Sequence, residues 1–125
     1  MSSLAAGRKA SAAPAAFRVL VVDDDPDMSG FLVRLLVKQG LQADIASDGY
    51  AALKQIAASP PDMVLLDVQM PGPDGFEICR RLKSSEATAL LPVVLVTALE
   101  DQDSRVRGIE AGADDFLSKP VRRRN

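Results

Sequence analysis

From Phe17 onward the chain alternates short apolar runs with stretches of helical periodicity. Arg18 to Val22, Met63 to Leu66 and Val93 to Val96 are nearly continuous apolar runs, the pattern of parallel strands buried on both faces. Two weaker strands, Leu41 to Ala46 and Asp115 to Ser118, bring the set to five. Between the first two, Phe31, Leu32, Leu35 and Leu36 recur at helical spacing, with Asp25 and Pro26 as N-cap and first helical residue and Gly40 as the stop. The stripe Met28, Phe31, Leu32 and Leu35 reads as core-facing packing. A second helix is expected over Gly49 to Ala58, capped by Asp48 and closed by Ser59, Pro60 and Pro61. A third, Gly75 to about Ser84, follows Asp74 as cap or turn residue and carries Phe76, Cys79 and Leu82 inward. A fourth, about Asp103 to Ala111, has a weak apolar face, is interrupted by Gly108 and stops at Gly112.

Strict alternation of strand and helix implies crossover units and a parallel sheet with helices on both faces, a small doubly wound α/β domain. Residues 1–16 are rich in Ala and Ser and read as a flexible arm, 17–121 as the folded domain and 122–125 as a basic stub. After the fifth strand the chain reaches Lys119 and Pro120 and stops at Asn125, which leaves no residues for a fifth helix.

At 125 residues there is room for one core, and a chain of that size buries roughly two-thirds of its unfolded surface. No apolar run approaches the roughly 20 residues of a membrane span, and the arm lacks the apolar block of a secretory signal, so cytoplasmic residence is the expectation. Cys79 is alone and reads as a packing residue. The absence of histidine excludes a Ser-His-Asp triad, a histidine-ligated zinc and a phosphohistidine intermediate within this chain. The termini hold five of the fifteen basic residues; Phe17 to Val121 carries ten basic against seventeen acidic, a net of −7 and the wrong sign for a nucleic-acid footprint.

In an open parallel sheet, ligands bind beyond the carboxyl ends of the strands. Here strand one ends in Asp23, Asp24 and Asp25, strand three in Asp67, strand four in Thr97 and strand five in Lys119. Clustered carboxylates repel, and a hard divalent cation relieves them; magnesium is bound by about one or two carboxylates and keeps several waters. A carboxylate beside such a cation can attack phosphorus and form an aspartyl phosphate, with Thr97 and Lys119 as donors to the transferred group.

Four segments together resemble the receiver domains of two-component response regulators: Val19 to Pro26, Asp62 to Gly75, Pro92 to Ala98 and Gly112 to Pro120. The resemblance covers Phe17 to Pro120 and implies a flavodoxin-like sheet of order 2-1-3-4-5 that lacks the family's usual last helix. It also implies Asp67 as phosphoacceptor for a histidine kinase or phosphotransfer protein, Asp24 as a direct magnesium ligand and Asp23 as a second or water-mediated one. Gln69 would offer its backbone carbonyl to the metal, Thr97 and Lys119 would hold the phosphoryl oxygens, and Phe116 would be the switch aromatic. Lys119–Pro120 is expected to be cis. An effector domain in a longer protein and a homodimer are further partners that the resemblance allows. Gln69 and Leu99 would border the path of the hydrolytic water, and an apolar Leu99 cannot orient it, so slow self-dephosphorylation is expected.

Other readings stand beside these. Asp25 is a helix cap rather than a site residue, and Arg122 to Arg124 form a solvated charge run. A phosphatase of haloacid-dehalogenase type would need a second aspartate where Gln69 stands. A phosphorylation-independent interaction module would not need all the site residues to be present. The missing helix favours a piece of a longer regulator over a domain that oligomerises or swaps, or an arm, Met1 to Ala16, that folds back as a surrogate.

Overall fold

The computed structural model describes residues 16–98 and 101–119. Residues 1–15, Leu99, Glu100 and 120–125, and with them the basic stub and the Lys119–Pro120 bond, lie outside the described residues. Five strands, β1 (Arg18–Val22), β2 (Gln42–Ala46), β3 (Met63–Asp67), β4 (Val93–Thr97) and β5 (Asp115–Ser118), alternate with four helices. These are α1 (Pro26–Lys38), α2 (Gly49–Ala58), α3 (Gly75–Ser84) and α4 (Gln102–Ala111). All strand pairs are parallel and the order is β2-β1-β3-β4-β5, as the sequence pattern and its resemblance predict.

Each helix begins on an aspartate: Asp25, Asp48, Asp74 and Asp101 accept backbone N–H groups from Asp27, Ala51, Glu77 and Ser104. A cap of this kind contributes about 1 kcal/mol, and it stops a helix from running back into the preceding strand end. Two starts differ slightly from expectation. α4 opens at Gln102, because Asp101 takes both the amide and the hydroxyl of Ser104. β2 opens at Gln42, because the Leu41 amide is still donated to Leu36 of α1.

The sheet divides the core in two. On one face, Leu20, Val22, Val64, Leu66, Val93 and Leu95 pack against Ala52 and Ile56 of α2, Phe76, Ile78, Cys79 and Leu82 of α3, and Ala111 of α4. On the other, Val19, Val21, Leu65 and Val96 meet Leu32, Val33 and Leu36 of α1. The expected inward stripe of α1 is therefore corrected: Phe31 is 36% and Leu35 45% exposed, while Ser29 is buried. With apolar residues at Phe31, Leu32, Val33, Leu35, Leu36 and Val37, the pattern is apolar around most of the helix and does not determine its phase. Cys79 is a packing residue as expected; burial pushes its thiol up to about 11, and its sulfur lies 3.5 Å from the Ala111 carbonyl.

A polar clasp ties the end of α3 to the turn before β5. Lys83 reaches 2.7 Å to Asp114 and donates to the Leu91 carbonyl at 2.7 Å, and Asp114 also accepts the Val93 amide at 2.8 Å. Burial alone would raise the Asp114 carboxyl, but the bonds from Lys83 and Val93 outweigh it and hold the group below its ordinary value. Stability from a depressed carboxyl is present above its unfolded pKa and lost as pH falls through the folded one. Asp114→Ala is expected to cost about 1–2 kcal/mol at neutral pH in urea unfolding. The difference from wild type should shrink as pH falls below the carboxylate range; equal stabilities at neutrality would refute the clasp.

Candidate phosphoacceptor and metal site

The C-terminal ends of β1 and β3 are adjacent, since Val22 aligns with Leu66, and the residues that follow them meet above the sheet. The Asp23 amide donates to Ala46, which continues the β1–β2 ladder by one residue. Its side chain is then turned into the pocket, where Oδ1 accepts the Asp25 amide at 2.9 Å. Asp67 is the last residue of β3 and is 4% exposed, and Asp23 is 2% exposed. Asp24 is exposed at the rim. One carboxylate oxygen from each of the three lies within 4.8 Å of the others.

Behind β3 the backbone is drawn in tightly by Gly75. Its amide donates to the Val68 carbonyl at 2.8 Å, and a Cβ there would overlap the Asp67 carbonyl oxygen and come within 2.8 Å of the Val68 Cα. A side chain at 75 would push α3 away from the strand that carries Asp67, which is the reason for glycine at a helix start.

Lys119 enters from the far side. Its amide donates to the Thr97 carbonyl at 2.9 Å, extending the β4–β5 ladder past Ser118, and its ammonium lies 3.1 Å from Asp67 Oδ1 and 3.5 Å from Asp23 Oδ2. The second distance is an ion pair without hydrogen-bond alignment: Asp23 Oδ2 is buried and accepts no hydrogen bond. A buried carboxylate oxygen without a hydrogen bond is costly, and here the nearby Lys119 ammonium offsets part of that cost.

Burial is the main reason that the Asp67 carboxyl is pushed up to about 6, and the Asp23 carboxylate adds to it; Lys119 and the Gln69 amide pull the other way without prevailing. Burial works against the charge on Lys119, but Asp67 and Asp23 together raise its pKa, so the amine remains a cation. One ammonium thus partly compensates three carboxylates. The donor set is all hard oxygen, one oxygen lacks a hydrogen bond, and an additional small hard cation suits this excess of negative charge better than any soft metal would.

The residues expected from sequence are distributed as follows. Asp23, Asp24, Asp67 and Lys119 come together. Thr97 closes β4 beside them, 4% exposed, one position beyond Val96, the partner of Asp67 in the ladder. Gln69 lies two residues past β3, exposed, with its amide on Asp67. Phe116 is partly buried under α4, outside the carboxylate pocket. Asp25 caps α1. Sequence reasoning missed Arg107, which stacks 4.3 Å over the Phe76 ring, lies 3.9 Å from Asp74 and lines a shallow cleft with Gln69 and Met70. Its position depends on the rotation of α4, whose weak amphipathic pattern carries no signal for it.

The receiver-domain model of response regulators matches residues 19–125. Response regulator PleD of Caulobacter vibrioides is 46% identical over 104 residues, which are 83% of this chain and 23% of PleD. Response regulator MprA of Mycolicibacterium vanbaalenii is 47% identical over 103 residues, 82% of this chain and 44% of that protein. Among solved structures, the BeF3-activated receiver domain of RstA from Klebsiella pneumoniae aligns with a TM-score of 0.77 at 32% identity, covering 83% of this chain and 86% of that one. The chain belongs to the response-regulator receiver family and is a phosphoacceptor signalling domain of two-component systems. It spans less than half the length of the curated relatives just named. No helix among the described residues is long and apolar enough to cross a membrane.

If carboxylate crowding dominates this pocket, Asp67→Asn should stabilise the metal-free protein. A gain of about 1–2 kcal/mol at neutral pH is expected in thermal or urea unfolding. A less stable variant would mean that the Lys119 pairing, not the repulsion, controls the site.

Proposed function

We propose that the domain is a magnesium-dependent switch in which Asp67 receives a phosphoryl group from a partner histidine kinase or phosphotransfer protein. The observation that supports this is the convergence of Asp23, Asp24 and Asp67 oxygens within 4.8 Å, beside a Lys119 ammonium 3.1 Å from Asp67. Asp23, Asp24, Asp67 and the Gln69 carbonyl would hold the metal. When bound, magnesium would neutralise charge on the carboxylates and on the phosphoryl oxygens.

An Asp67 carboxylate oxygen forms the new bond to phosphorus while the phosphorus–nitrogen bond to the donor imidazole breaks, and the imidazole keeps the electron pair. Lys119 moves from carboxylate to phosphoryl oxygen without leaving the pocket, and the Thr97 hydroxyl donates a further hydrogen bond. Drawing Thr97 toward the phosphoryl group would favour the inward position of the Phe116 ring, which here packs under α4, and the surface of α4 and β5 would adjust with it. The domain is no general hydrolase: it takes up the group and loses it slowly. Leu99, outside the described residues, offers no hydrogen bond to an attacking water. Its location is the cytoplasm, and an effector domain in a longer chain or a second copy reads the switched surface.

Mass spectrometry after treatment with acetyl phosphate and magnesium tests acceptor and metal together. One added phosphoryl group, mapped to Asp67 and absent from Asp67→Asn, is expected; a modification that survives that substitution overturns the assignment. Asp24→Asn should weaken magnesium binding by about tenfold or more. Leu99→Glu or Leu99→Asn should speed dephosphorylation by up to about a hundredfold, the lower end of what a positioned side chain contributes. An unchanged rate would remove Leu99 from the account.

A further inference from the structure

Gly108 lies buried in the middle of α4, where glycine weakens a helix relative to alanine. Its position is explained by Phe116. A Cβ at 108 would overlap the Phe116 Cζ and lie 2.7 Å and 2.9 Å from its Cε1 and Cε2, all ring atoms at the far end of one side chain. The sheet register sets up this approach. Phe116 aligns with Leu95 and Ser118 with Thr97, so the alternation of side chains puts Phe116 and Thr97 on the same face, one diagonal step apart. There the ring packs against the core cluster of Leu95 and Ala111, with the Arg105 guanidinium 5.4 Å from its centroid.

We propose that Gly108 is the seat of the switch aromatic: the missing side chain admits the Phe116 ring beneath α4, and the size of residue 108 sets how strongly phosphorylation at Asp67 is coupled to that helix. This rests on the phosphoacceptor reading above. A methyl group at 108 would not break the fold, because the atoms it meets belong to a ring that can rotate to another staggered position, and alanine suits the helix better than glycine. It would evict the ring. If the phosphorylated pocket favours the seated ring, then eviction must weaken the pocket's hold on a phosphoryl group by the same factor, since coupling between sites is reciprocal. Gly108 is thus a positioning residue that touches neither metal nor phosphoryl group.

The test uses the full chain labelled with 4-fluorophenylalanine, with the Phe116 resonance assigned by its loss in Phe116→Ala, and beryllofluoride plus magnesium as the phosphoryl mimic. Gly108→Ala should move the Phe116 fluorine signal to a solvent-exposed position and weaken beryllofluoride binding by about tenfold. In a Phe116→Ala background the same substitution at 108 should leave that affinity unchanged, because the ring it would displace is gone. An unmoved fluorine signal overturns the proposal, as does a loss of affinity that persists without the ring, which would place the effect in the helix itself. Wild-type protein that binds no beryllofluoride, or binding that survives Asp67→Asn, would instead overturn the phosphoacceptor reading, and the fluorine signal alone would then decide the seat.

Discussion

Electrostatic repulsion among carboxylates at the ends of β1 and β3 is the constraint around which this domain is arranged. Asp23 and Asp67 are nearly inaccessible, Asp24 stands at the rim, and a single ammonium from β5 is shared between the first two. Such an arrangement persists only because the surrounding fold overdetermines it. Two apolar half-cores clamp the sheet, four aspartate caps stop the helices at the strand edge, and the Gly75 approach holds α3 against the backbone that carries Asp67. Under the proposed reading, this unfavourable local charge is what would draw a cation into the pocket.

The aspartates of β1 illustrate how neighbouring residues of one type divide their roles. Asp23 is buried with one oxygen satisfied by the Asp25 amide, Asp24 points to the rim, and Asp25 turns to the Asp27 amide to begin α1. Backbone alternation at the end of a strand separates them, so that chemistry and helix initiation do not compete for the same oxygen.

Much of this was legible in the sequence because period and position carry it. Continuous apolar runs marked β1, β3 and β4, and the aspartates that break the first two runs are the ones that meet in the acidic cluster. The caps Asp48 and Asp74 and the stop at Gly112 follow from local backbone chemistry. The phase of α1 was not legible, since apolar residues on nearly all sides leave the hydrophobic direction undetermined. Nor was the contact of Gly108 with Phe116, or of Arg107 with Phe76: each depends on how far α4 is rotated over the sheet, which its weak apolar stripe does not encode.

β5 has only four residues and lies at the edge of the sheet, where Asp115, Leu117 and Ser118 are exposed. It adds little apolar burial, yet the residue after it, Lys119, held by its ladder bond to Thr97, brings the ammonium that Asp23 and Asp67 share. Fraying of this strand would therefore carry the counter-charge away from the acidic centre. Breathing at the margin of the sheet would thus change the electrostatic balance at its heart.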